Sequence, residues 1–211
     1  MLMRLYAANG CGSALSEIAL EWAGETYERV LLTWEEVGAR AHPGLLAANP
    51  LHQVPTLLLD NGQVLSESAA IVLWLDETYP GAGLLPACES GERVQALRWL
   101  LFLVTTLYPT FSYGDFPARY VGGEEPQRDL LASTRARRKE FWLQLEAAAK
   151  SPWFCGERPS MLDAFIAVMS HWHPQRAWFA HHAPKVFAIA QAADQMPQIR
   201  PTLARNFPPV S

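Results

Sequence analysis

Cysteine is scarce in this chain and never clustered: Cys11, Cys88 and Cys155 are the full set in 211 residues, and no Cys-x-x-Cys pair occurs. An odd, widely spaced set excludes a disulfide framework and dithiol redox chemistry, and it fits a reducing, cytoplasmic setting. Basic charge is short too, with 17 Lys and Arg against 21 Asp and Glu, a net charge of −4 and a pI near 5.9. That balance offers no basic field to nucleic acid. The one basic cluster, Arg135, Arg137, Arg138 and Lys139, reads as a solvated helix face. Long apolar runs are missing as well. The longest, Trp99 to Val104, is well under the ~20 residues that a bilayer span needs, and the amino terminus has no signal-peptide core, so no membrane association is expected. His171, His173, His181 and His182 have no cysteine or carboxylate at zinc-like spacing, so no metal site is expected.

What is present is a chain with 50% hydrophobic residues, enough to bury one large core or two modest ones. Residues 3–8 and 27–32 are strand-like runs. Between them Leu15, Ile18, Ala19 and Trp22 recur at helical spacing, which makes a β-α-β unit with parallel strands. The stretch from Trp34 to Ala48 reads as an irregular helix. Gly81-Ala82-Gly83-Leu84-Leu85-Pro86 is a natural boundary. Beyond it Leu97 to Leu107, Leu130 to Lys150, Leu162 to Trp172 and Lys185 to Met196 read as helices of a bundle. Tyr108 to Pro117 is aromatic and helix-breaking, a stretch that packs a core or lines an apolar pocket. Ser160-Met161-Leu162-Asp163 carries the hydroxyl and carboxylate spacing of a capping box before an apolar helix.

The densest signal runs from Asn49 to Pro80, NPLHQVPTLLLDNGQVLSESAAIVLWLDETYP. Thr56-Leu57-Leu58-Leu59 is a buried-strand run, Asp60-Asn61-Gly62 carries hairpin chemistry, and Gln63-Val64-Leu65 returns. Pro55 at the strand start is a candidate for the cis isomer, which would leave the Val54 backbone turned outward to pair with an extended peptide. Glu67, Ser68 and the free N–H groups that open the next helix form a seat for a carboxylate.

The NP-x-x-x-VP-x-L run, the acidic-Ser pair and the terminal YP resemble the glutathione-binding core of the cytosolic glutathione transferases, and the likeness to their bacterial (beta- and theta-like) members spans the chain. It implies an α/β thioredoxin-like domain with a mixed four-stranded sheet over residues 1–80, a linker at 81–90 and an all-helical domain over 91–211. It also implies glutathione as co-substrate, a small hydrophobic electrophile as its acceptor, and a homodimer. The activity implied is glutathione conjugation, with glutathione-dependent reduction of a peroxide or disulfide, or non-catalytic binding, as alternatives.

Carried onto these positions, the resemblance makes the loop Asn9-Gly10-Cys11-Gly12-Ser13 the sulfur site. Ser13 is the first choice as donor to the thiolate and Cys11 the second, although Gly12 stands where beta-type relatives keep their cysteine. Tyr6 is a third. Their structural readings are a helix cap for Ser13, a small buried hydrophobe for Cys11 and a core aromatic for Tyr6. Val54 would pair with the cysteinyl unit, Glu67 and Ser68 would hold the γ-glutamyl end, and His52 matches a histidine that some relatives use on the glycyl carboxylate. His52 otherwise reads as a surface residue without a partner. Arg40 and His42 are the only basic residues available from the second helical segment.

Overall fold

A computed structural model describes residues 2–208, which fall into two compact units: residues 2–87 with 192–208, and residues 88–191. In the first unit, β1 (Met3–Ala7), α1 (Ser13–Ala23) and β2 (Tyr27–Leu31) form the expected β-α-β, with Leu5 opposite Arg29 in a parallel ladder. Two short helices follow, α2 (Trp34–Ala39) and α3 (Pro43–Ala48), then β3 (Thr56–Leu58), β4 (Val64–Ser66) and α4 (Ser68–Thr78). The sheet order is β2-β1-β3-β4, with β3 antiparallel to both of its neighbours, so the sheet is mixed as expected.

Local chemistry explains these elements. Leu15, Ile18 and Ala19 of α1 are fully buried, and α1 packs beside α4. Tyr6, Leu32 and Leu45 centre a second cluster, with Val30, Val37, Ala48 and Val54 against it. Gly62 takes a φ of +85° in the β3–β4 turn, where the Asn61 side chain accepts the Gln63 N–H at 2.9 Å. Thr33 and Glu36 form a capping box at α2. After α4 the Asp76 carboxylate accepts the Leu85 N–H at 3.0 Å, which fixes the Gly/Pro-rich segment.

The carboxyl-terminal helix departs from the expected partition. Residues 192–208 cluster with the first unit, not with the helices before them. Helix α11 (Arg200–Asn206) is bound through polar groups: Thr202 donates to Glu21 at 2.9 Å, Arg205 pairs with Glu21, and Arg205 lies 3.4 Å from Glu17. Hydrophobic periodicity carries no trace of such pairs.

The second unit is helical: α5 (Glu92–Phe102), α6 (Pro109–Asp115), α7 (Glu124–Ala148), α8 (Met161–Met169), α9 (Arg176–His182) and α10 (Pro184–Asp194), the last running past the boundary at 191. Leu103–Leu107 is a π-helical turn that joins α5 to α6. The stretch expected to break helices is thus mostly helical, because Pro109 occupies the first turn of α6, where its missing N–H costs nothing. All nine residues of α8 are buried.

Arg138 corrects the reading of the basic cluster. Arg135, Arg137 and Lys139 are exposed, but Arg138 is 1% exposed and lies on the stripe of Thr134, Phe141, Trp142 and Leu145 that α7 buries. Its Nε donates to Thr110 Oγ1 at 3.0 Å and its Nη2 to the Thr110 carbonyl at 2.7 Å, with the guanidinium 3.7 Å from the Phe111 ring centre. Burial lowers its pKa to about 10.

The capping box at α8 is present. The Asp163 carboxylate accepts the N–H of Ser160 at 2.7 Å and that of Phe154 at 2.8 Å. Asp163→Ala strands two buried donors, at about 1–3 kcal/mol each, so denaturant titration should show a loss of roughly 2–6 kcal/mol. Asp163→Asn keeps one acceptor oxygen and should lose less. Burial pushes the Asp163 carboxyl up to about 6, outweighing those bonds. A raised carboxyl pKa means stability that is fully present below about pH 3.9 in the unfolded chain's terms and lost as pH rises through about 6. Asp163→Asn should remove that slope.

Candidate functional site

Sheet register brings three segments to one end of the first unit. Tyr6 lies opposite Thr56, and Thr56 opposite Ser66. The chain leaves β1 through Ala8 to Ser13, enters β3 through Val54 and Pro55, and leaves β4 through Glu67 and Ser68, all on that side.

The entry to β3 is held by a polar clamp. Asn49 donates to Thr56 Oγ1 at 3.0 Å, Thr56 Oγ1 donates to the Gln53 carbonyl at 2.8 Å, and Asn49 Oδ1 accepts the Leu51 N–H at 3.0 Å. The Val54–Pro55 bond is cis. Among the described residues, neither the N–H nor the C=O of Val54 has a partner within the chain. A backbone left open beside a strand start is equipped to pair with an extended peptide.

Glu67 has a φ of +68°, a left-handed conformation that a non-glycine residue holds at a cost of about 1–3 kcal/mol. It is exposed, and its side chain makes no capping bond to α4. The Ser68 hydroxyl and the N–H groups of Ser68, Ala69 and Ala70 have no acceptor within the described residues; Ile71 is the first to bond back, to Glu67. A hydroxyl, three N–H groups and the positive end of an eleven-residue helix therefore face outward together.

The β1–α1 loop is arranged differently from its sequence reading. Ser13 is fully buried at the first position of α1. Its hydroxyl donates to the Ala8 carbonyl at 2.9 Å and accepts the Ala8 N–H at 3.1 Å, so its single proton is committed inside the protein. Cys11 is buried too, its Sγ donating to Ala8 O at 3.2 Å and lying 3.3 Å from Ser13 Oγ. Burial pushes the Cys11 thiol up. The N–H groups of Cys11 and Gly12 have no acceptor among the described residues, while the Ser13 N–H is directed at the Cys11 sulfur.

The remaining candidates divide. Tyr6 is a core residue: a Cβ at Gly44 would lie 2.9 Å from its hydroxyl, and its ring meets His42 edge-on at 5.5 Å. His42 caps α3 by accepting the Leu45 N–H at 3.1 Å, and Arg40 bonds the Pro50 carbonyl. His52 is not a surface residue. It is 2% exposed with a φ of +55°, its Nε2 lies 3.2 Å from the His42 nitrogen, and its Nδ1 is buried without a partner. Nε2 also lies 3.3 Å from the His42 carbonyl oxygen, so Nδ1 is a donor in the tautomer in which Nε2 accepts the His42 N–H and an acceptor in the tautomer in which Nε2 donates to the carbonyl. No cluster of His, Cys, Asp or Glu fit for a metal is found among the described residues, and none of their helices is long and apolar enough to cross a membrane.

With the geometry in view, comparison with known proteins is decisive. The chain is 32% identical over 205 residues to the uncharacterized GST-like protein YncG of Escherichia coli K12, covering 97% of this chain and 98% of that one. The chain belongs to the glutathione S-transferase family. Residues 16–78 match the family description "Glutathione S-transferase, N-terminal domain". A maleylacetoacetate isomerase of Pseudomonas aeruginosa is 35% identical, with 98% of each chain covered. Among solved structures, a sphingomonad glutathione S-transferase complexed with glutathione superposes with a TM-score of 0.75 at 26% identity, covering 95% of this chain and 96% of that one. The thioredoxin-like fold of the first unit and the helical remainder are those of this transferase family.

The thiols provide a check on the loop geometry. Cys88 is exposed, whereas Cys11 and Cys155 are buried, with burial raising the Cys155 thiol to about 12. Under native conditions near pH 7.5 iodoacetamide should modify Cys88 first and the other two only after unfolding, as peptide mass mapping would show.

Proposed function

We propose that this protein binds glutathione in an extended form at the sheet end formed by Val54, Glu67 and Ser68, and activates its sulfur as a thiolate for addition to a small hydrophobic electrophile. The observation that carries this reading is the set of open polar groups at that end. Val54 offers one N–H and one C=O to the cysteinyl unit, Ser68 and the α4 amino end offer donors to the γ-glutamyl carboxylate, and the Glu67 carboxylate can face the ammonium. His52 Nδ1 is a candidate donor for the glycyl carboxylate.

A free thiol with a pKa of ~8.5 is a few per cent thiolate at neutral pH, so a shift of about two units, roughly 2.7 kcal/mol, is needed. A hydrogen bond to a charged acceptor supplies ~1.5–3 kcal/mol and a helix amino end ~0.3–1. The open N–H group of Gly12, at the start of α1, can provide both. Ser13 enters this proposal as the residue that ties Ala8 to α1 and so shapes the loop, its proton being committed to Ala8. The buried, raised thiol of Cys11 disfavours a mixed-disulfide reductase. A cytoplasmic homodimer accompanies the proposal, with exposed Val94 and Leu101 on α5 available for apolar contact.

A second reading draws on the 35% identity to a maleylacetoacetate isomerase. A thiolate that adds reversibly to a conjugated double bond leaves a single bond free to rotate, and elimination of the same thiolate then returns the isomer with no net consumption of thiol.

Calorimetric titration with glutathione tests the site. Glu67→Ala combined with Ser68→Ala should weaken binding by about 10- to 100-fold, the equivalent of one or two charge-assisted bonds. A double variant that binds as tightly as the parent would refute the assignment. Turnover of an unsaturated acid without glutathione loss would favour isomerisation over conjugation.

A further inference from the structure

The loop proposed to receive the sulfur is not held by its own helix alone. Asn206, the last residue of α11, is 4% exposed, and its Oδ1 accepts the Gly10 N–H at 3.1 Å. Its Nδ2 donates to Glu17 Oε1 at 3.3 Å and to the Thr202 carbonyl at 3.0 Å. That orientation of the amide is the workable one, since a flip would set NH2 against the Gly10 N–H and oxygen against a carboxylate. Glu17 is 0% exposed and is itself flanked by Arg29, whose Nε lies 2.9 Å away, and by Arg205 at 3.4 Å. Arg29 also reaches the loop, its Nη2 donating to Asn9 Oδ1 at 2.6 Å. The two residues that precede Cys11 are thus both tied to one buried carboxylate, Asn9 through Arg29 and Gly10 through Asn206.

Gly10 has a φ of +77°, which a side chain at this position would strain. The bend at Gly10 decides the direction in which the following N–H groups leave the loop. An acceptor on the Gly10 N–H is therefore a handle on the donor at Gly12. Glu17 also lies near enough for its charge to bear on the Cys11 thiol, so the hub couples to the loop electrostatically as well as sterically.

We propose that Asn206 is a positioning residue for the sulfur site: braced by Glu17, it holds the Gly10 N–H and sets where the N–H group of Gly12 points. The inference rests on the reading of the β1–α1 loop as the place of the glutathione sulfur. It assigns the carboxyl-terminal helix a part in tuning the thiol, beyond closing the first unit.

Asn206→Ala removes the handle, and Thr202→Val is its control. Thr202→Val deletes two Oγ1 bonds that also anchor α11, the one donated to Glu21 and the one accepted from Arg205, but leaves the Thr202 carbonyl and the Asn206 bond to Gly10 in place. Hydrogen exchange by NMR should show the Gly10 amide exchanging about 10-fold faster in Asn206→Ala, the factor expected for one lost bond. With glutathione present, thiolate absorbance against pH should show the bound thiol's pKa raised by about 0.5–1 unit. Correspondingly, kcat should fall by about 3- to 10-fold while the Kd for glutathione stays within about 3-fold. Thr202→Val should lower Tm and leave exchange and thiol pKa at parental values. Unchanged loop exchange in Asn206→Ala overturns the inference whether or not glutathione binds, and so does a Thr202→Val variant that shifts the thiol equally. Failure of the parent to bind glutathione would instead overturn the functional reading, with loop exchange still deciding the role of Asn206.

Discussion

The buried carboxylate of Glu17 is the constraint around which the first unit is arranged. An ionised group taken out of water costs several kcal/mol unless opposite charge and donors surround it. Here they come from separate stretches of chain: Arg29 from β2, Arg205 and Asn206 from α11. Glu21, one turn along α1, repeats the pattern at the rim, taking bonds from Tyr27 at 3.2 Å and Thr202 at 2.9 Å. Desolvation and the Glu21 charge push the Tyr27 phenol well above its usual range. Each partner removed leaves the buried carboxylate one donor short, so these contacts help fix which segments must be neighbours.

That constraint also marks where sequence reasoning stops. The strands, α1, the hairpin and α4 were legible because they announce themselves through period-2 and period-3.6 patterns and through turn chemistry at Asp60-Asn61-Gly62. The capping box at Ser160 was legible because its two members sit three residues apart. The place of α11 was not, since Glu17 and Asn206 are 189 positions apart and nothing local couples them. Arg138 was legible in principle: it falls four residues after Thr134 on the face that α7 buries, and reading the stripe instead of the charge cluster would have found it.

At the candidate site the division follows the kind of atom involved. Val54, Glu67 and Ser68 were legible as candidates because backbone geometry and helix ends are written in short motifs, and the structure places all of them at one sheet end. Hydroxyl and thiol commitments are not written that way. Ser13 and Cys11 both direct their protons to the carbonyl of Ala8, a contact that depends on how tightly the loop turns between β1 and α1. His52 was a candidate for the glycyl carboxylate through the resemblance, and its spacing alone read as a surface residue; the structure buries it, 2% exposed at a φ of +55°.

The contrast between committed and open groups limits what the ligand can be. In the β1–α1 loop, side-chain protons are consumed locally and only backbone N–H groups remain. At Val54 an adjacent donor and acceptor remain, and at α4 donors remain beside a carboxylate. An apolar compound would satisfy none of these, and a simple anion would satisfy only the helix end. A molecule with a peptide-like middle, a zwitterionic end and an anionic sulfur near its centre would engage all three segments at once. Because each segment is anchored separately, by Asn49 and Thr56 at Val54, by the sheet at Ser66 and by the Glu17 hub at Gly10, the proposed complementarity is built into the folded chain before any ligand arrives.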